Sequence, residues 1–79
     1  MTKKEYLSGK KFMIAGLTQV FVYDKKEDKL SVFSNFDGSI STHPVALMAG
    51  DKEIWINDLK VGGIEQTAFA KLEACRTIE

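Results

Sequence analysis

Along most of this chain apolar and polar positions alternate rather than recur at helical spacing. Phe12-Met13-Ile14-Ala15 and Thr18-Gln19-Val20-Phe21-Val22-Tyr23 are rich in β-branched and aromatic residues and are divided near Gly16. That is the composition of two paired strands. Residues 24–29 are fully polar, and Leu30-Ser31-Val32-Phe33-Ser34-Asn35-Phe36 returns as a third strand. Asp37-Gly38 is a tight-turn dipeptide, because glycine tolerates positive φ, and Ser39-Ile40-Ser41-Thr42 fits a short fourth strand beyond it. His43-Pro44 is expected to break the ladder, since proline donates no hydrogen bond. Residues 45–49 then read as a short strand or one helical turn. Gly50-Asp51-Lys52 turns the chain into a second strong strand over residues 53–61, punctuated by Gly62-Gly63.

Two segments read as helix. Thr2-Lys3-Lys4-Glu5 is a capping box, in which the threonine hydroxyl and the glutamate carboxylate each satisfy a free amide of the first turn. A short helix over about residues 3–8 follows, ended by Gly9, and so short a helix survives only by docking on something larger. Near the C-terminus Ile64, Ala68, Phe69, Leu72 and Cys75 lie on one face of a helix over about residues 64–76, with Glu65 in its first turn and Arg76 in its last. The expected fold is therefore α+β: a single domain over residues 1–79, in which a four- to five-stranded, mainly antiparallel sheet carries the C-terminal amphipathic helix on one face. The alternative is a small open β-barrel, with residues 64–69 as a further strand and the helix starting later.

Alternation also sorts the strand residues by face. Phe12, Ile14, Val20, Val22, Leu30, Val32, Ile54 and Ile56 fall on the face that the helix would cover. Met13, Phe21, Tyr23, Phe33 and Trp55 fall on the other, and so many large apolar groups on one sheet face call for a cover. That cover is the short helix and the 44–49 segment, a second copy of the chain, or another protein. Trp and Tyr are among the residue types most enriched at binding hot spots.

Charge narrows the options. The 79 residues carry 11 Lys plus Arg and 11 Asp plus Glu, for a formal net charge of zero. The balance is uneven, however: residues 1–29 hold seven lysines against four acids, and residues 30–79 hold four bases against seven acids. A binder of double-stranded nucleic acid would show a basic excess, and this chain has none. Single strands could still stack on the exposed aromatics while Lys10, Lys11, Lys25, Lys26 and Lys29 supply charge. Which charges fringe the aromatic face decides between this reading and a protein partner: those lysines favour nucleic acid, whereas Glu53, Asp58 and Glu73 favour protein. No apolar run reaches the ~18 residues of a membrane span, and the first residues lack the apolar core of a secretory signal, so a cytoplasmic location and no membrane partner are expected.

Chemistry is sparse. Cys75 is the single cysteine, which excludes an internal disulfide and a cysteine zinc cluster, and it reads as a small core hydrophobe. His43 is the single histidine. Its nearest acids in sequence, Asp37 and Asp51, do not have metal-ligand or triad spacing, so it reads as a loop residue. Gly62-Gly63 lacks the glycine spacing and the lysine of a phosphate loop. No catalytic residue, metal or cofactor is expected. The reading is a non-enzymatic protein-protein interaction module. Its size, lysine content and lack of cofactor motifs look like those of small bacterial and phage accessory proteins that inhibit or regulate a host protein complex such as a defence system. The alternatives are a single-stranded nucleic-acid binder and a homodimeric subunit of a larger assembly.

Overall fold

The computed structural model describes residues 1–34, 38–61 and 63–78. Helix α1 (Lys3–Leu7) precedes β1 (Phe12–Ile14), β2 (Val20–Asp24), β3 (Lys29–Phe33), β4 (Ile40–Met48), β5 (Glu53–Val61) and β6 (Ile64–Lys71). A 3-10 turn at Leu72–Ala74 then leads into β7 (Cys75–Thr77). Every ladder is antiparallel, and the strand order β6-β5-β4-β3-β2-β1-β7 is a meander whose last strand returns to pair with the first. The two edge strands are thus only a 3-10 turn apart in sequence, which requires the sheet to curl into a half-barrel.

This is a mainly β fold and not the expected α+β sandwich. The largest correction concerns residues 64–76: where a C-terminal amphipathic helix was expected, β6, the turn and β7 stand. Among the described residues, the open-barrel alternative fails on the same helix, although a strand does occupy residues 64–69. The physical reason is visible in the burial. The spacing of Ile64, Ala68, Phe69, Leu72 and Cys75 suits a helix, yet Ile64 and Phe69 are exposed. What the segment supplies is backbone: it folds back on β5 and completes that strand's hydrogen bonding from Glu53↔Lys71 to Val61↔Ile64. The strand count rises to seven accordingly.

A second correction is at His43-Pro44, which lies inside β4 instead of breaking the ladder. Residues 40–44 of β4 pair with β3, ending at Lys29↔Pro44, and residues 45–48 pair with β5, beginning at Val45↔Ile56. The proline thus marks the point where β4 changes partner, a place where a missing donor costs little.

The third concerns the phase of β2. Phe21 is fully buried and Tyr23 packs against the core, whereas Val20 and Val22 are only half-buried. The register Phe12↔Phe21, Phe21↔Val32 and Tyr23↔Leu30 places the aromatics inside. In a run such as Val-Phe-Val-Tyr both faces are apolar, so alternation cannot set the phase, and the bulkier rings take the interior where they bury more area. Phe12, Ile14, Leu30, Val32, Ile54 and Ile56 are buried as their alternation implies. The end of the third strand at Phe36 and the Asp37-Gly38 turn fall partly outside the described residues.

Helix α1 is held by its cap and its one aromatic. Thr2 Oγ1 accepts from the Glu5 amide at 3.1 Å, and Glu5 Oε1 accepts from the Thr2 amide at 2.9 Å. Those bonds hold the Glu5 carboxyl below its ordinary pKa. Tyr6 enters the core, stacked on Tyr23 with ring centres 4.6 Å apart and tilted against Phe12 at 6.0 Å. The backbone nitrogen of Met1 donates to Leu72 O and Cys75 O, tying the start of α1 to the turn before β7.

Two outcomes test this packing. Phe21→Ala is expected to lower stability by about 3–5 kcal/mol and Val22→Ala by less than about 1.5 kcal/mol, measured by urea denaturation; equal costs would invert the phase of β2. The second uses alkaline pH. Burial holds the Tyr6 hydroxyl above its ordinary pKa, and the 2.7 Å hydrogen bond to Asp28 does so for Tyr23. Their contribution is complete below the unfolded value near 10 and is lost as pH rises through the folded values. Urea stability is therefore expected to fall above about pH 10, and Tyr6→Phe is expected to flatten that fall.

Candidate functional site

Curling the sheet creates two surfaces with distinct chemistry. On the convex side of β4, β5 and β6, cross-strand register sets Ala46 beside Trp55 and Trp55 beside Phe69. The two rings stack with centres 5.3 Å apart and an interplanar angle of 23°. They remain open to solvent, with Trp55 at 37% and Phe69 at 60% of full exposure, and Met48 beside them is also exposed. The indole Nε1 donates to Glu53 Oε1 at 3.4 Å, and Glu53 lies opposite Lys71 in the ladder. The convex patch is thus apolar and aromatic with a mixed-charge fringe, the composition of a protein-binding hot spot and its polar rim.

The concave side opens where β4 and β5 separate. Their ladder ends at Val45↔Ile56, after which Asn57 and Asp58 together oppose the single Thr67, a β-bulge with Asp58 at φ 61°. The extra residue shifts the alternation by one, so that Leu59 follows Ile54 and Ile56 into the core. A cleft of about 420 Å³ lies beside the first half of β4, lined by Ser41, His43, Asp58 and Leu59 with exposed Glu65 on its rim. His43 is 91% buried (9% exposed). Its Nε2 lies 2.8 Å from Ser41 Oγ, a hydrogen bond between residues two apart on one strand face.

A serine and a histidine at that distance are the first two members of a nucleophile-base-acid relay. The third is not in place: among the described residues His43 makes no hydrogen bond to a carboxylate, although Asp58 and Glu65 share its cleft. No group of three or more histidine, cysteine or acidic side chains that could hold a metal exists among the described residues. The cleft sets the Ser41–His43 pair against a mixed lining that includes Val32 and Leu59. Sequence reasoning sent His43 to a loop and looked to Asp37 and Asp51 as companions. Asp37 lies outside the described residues, and Asp51 bonds Lys3 at 2.7 Å instead. Reading 40–48 as one strand would have shown Ser41 and His43 on the same face.

The structure distributes the five expected contact residues over separate environments. Phe21 is core, and Tyr23 is half-buried against Tyr6. Met13 and Phe33 are half-buried, Met13 opposite Arg76 and Phe33 in a shallow depression with Lys11, Val20 and Ile78. Trp55 alone stands in the convex patch, and Phe69, assigned earlier to a helix, is its stacking partner. Of the lysines, Lys25 and Lys26 occupy the β2–β3 turn, Lys29 starts β3 opposite Pro44, and Lys10 and Lys11 lie between α1 and β1. None of them is a cross-strand neighbour of Trp55 or Phe69. Cys75 is buried in β7, its Sγ 3.4 Å from Lys71 O, and burial pushes the thiol pKa up, which suppresses thiolate chemistry.

The chain matches no family model, no curated protein and no solved structure, so the site is read from its own chemistry. No helix among the described residues is long and apolar enough to cross a membrane.

The bulge is testable. Asp58→Gly is expected to leave stability equal or to raise it by up to about 1 kcal/mol, because glycine adopts positive φ freely. Asp58→Val is expected to cost about 1–2 kcal/mol. A loss in the glycine variant, measured by thermal denaturation, would show that the carboxylate and not the backbone holds the bulge.

Proposed function

We propose that this protein is a non-enzymatic interaction module that binds another protein through the convex face of β4–β6. The observation that carries the reading is the solvent-open Trp55–Phe69 stack, with Glu53 hydrogen-bonded to the indole. Two stacked aromatics left in water lose contact area that a partner would restore, at about 25 cal/mol per Å² buried. A neighbouring carboxylate repels phosphate, so the fringe favours a protein over a nucleic-acid strand. The lysines that would have supported strand binding stand elsewhere, in the β2–β3 turn, at the start of β3 and between α1 and β1. In this reading the chain acts as a small regulator or inhibitor, occupying a surface of its target without altering a covalent bond.

The test is capture of a binding partner by the tagged protein from native lysate, with and without nuclease. Trp55→Ala and Phe69→Ala are each expected to reduce capture by roughly tenfold or more while the folded spectrum is retained. Val22→Ala, outside the patch, is expected to leave capture unchanged. Capture abolished by nuclease, or unaffected by both aromatic substitutions, would overturn the reading.

A further inference from the structure

Strand β6 is the long free edge of the sheet. Among the described residues it pairs with β5 alone, over its whole length. Natural edge strands are protected by shortness, by proline or by charges within the strand. The other edge, β7, is three residues long. β6 has eight residues and no proline, and the stretch from Gln66 to Ala70 is uncharged.

We infer that β6 pairs antiparallel with β6 of a second copy of this chain, centred on Ala68, so that Glu65 of each copy lies opposite Lys71 of the other. The register follows from two conditions. In an antiparallel pair, residues directly opposite point to the same side. For the two concave faces to stay on one side, odd positions must therefore meet odd positions and even must meet even. Centring on Ala68 meets this condition with Glu65 opposite Lys71 and Thr67 opposite Phe69. A centre at Phe69 would set Glu65 against Glu73, and a centre at Thr67 would leave Glu65 opposite Phe69. Only the Ala68 register pairs both charges of the strand.

The ladder extends the argument. Lys71 already lies opposite Glu53 on β5. In the paired edge these register positions form a row of alternating sign: Glu53 and Lys71 of one copy, then Glu65 of the other. Opposite charges directly across strands are stabilising and like charges are not. On the convex face the two Phe69 rings become diagonal neighbours about 7–8 Å apart, within reach of each other. The two Trp55–Phe69 stacks then join into one strip across the two-fold axis. The contact is isologous and closes on itself, giving a dimer and not a fibre. It involves no other protein and stands independently of the partner proposed above.

The experiment is sedimentation equilibrium on the purified full chain in low salt, over a concentration series into the millimolar range, because edge pairing buries a small area and such contacts are weak. A monomer-dimer equilibrium is expected. Glu65→Lys and Lys71→Glu should each weaken it by roughly tenfold or more, since each places like charges opposite one another twice in the dimer. The double variant Glu65→Lys/Lys71→Glu should restore it. Circular dichroism confirms that each variant is folded. A folded chain that stays monomeric throughout overturns the inference. So does a dimer indifferent to both single reversals, or one that the double reversal fails to restore. Partner capture by the aromatic patch is read separately, so either result leaves the other interpretable.

Discussion

The change of partner within β4 is the constraint on which the rest of the structure depends. A nine-residue strand that bonds to β3 through its first half and to β5 through its second cannot lie in a flat sheet. The two halves diverge at Pro44–Val45, and the meander on either side is rotated about that point. Curl follows, and with it the proximity of β6 and β7 that lets a 3-10 turn connect the two edges. The concave side becomes small enough for a dozen side chains among the described residues to fill, of which Tyr6, Phe12 and Phe21 are the largest. A flat sheet of this length would expose one face entirely, and the single five-residue helix among the described residues could not cover it.

Curling also divides labour between the two sides. On the concave side, aromatic packing substitutes for the missing layer. Tyr6 from a five-residue helix stacks on Tyr23, and Phe12 stacks on Phe21 at 5.6 Å. A helix of that length has no stability of its own, and it persists because its cap satisfies the first amides and its one aromatic is wholly buried. The exposed Lys3–Asp51 pair adds little by comparison, since ion pairs in water are worth at most about 1 kcal/mol. On the convex side no element among the described residues covers Trp55 and Phe69, and they stay in solvent.

Much of this was legible residue by residue. The capping box, the inward faces of β1, β3 and β5, and the outward position of Trp55 rest on local pattern, and local pattern sufficed. What escaped was set by partners far away in sequence. The apolar spacing over residues 64–75 fits a helix as well as a strand, and the deciding factor is the hydrogen-bonding demand of β5, which no periodicity records. In β2 both faces are apolar, so the phase depends on Phe12 and Val32 across the ladder. At Pro44 the local rule is sound for a strand paired on both sides throughout, and β4 is not one. The Ser41–His43 pair was hidden by the same misjudgement, because a loop has no faces.

The bulge at Asn57–Asp58 links the concave and convex features. One inserted residue moves Leu59 into the core, where it borders the cleft, and leaves Asn57 outside, where its side chain accepts from Thr67 of β6 at 3.3 Å. Had β5 continued in regular alternation, Leu59 would point outward and leave the core. β-Bulges concentrate where a strand must re-aim a side chain or end a pairing, and this one does both. One backbone irregularity therefore fixes both the inward place of Leu59 in the core and the outward place of Asn57 beside the convex patch.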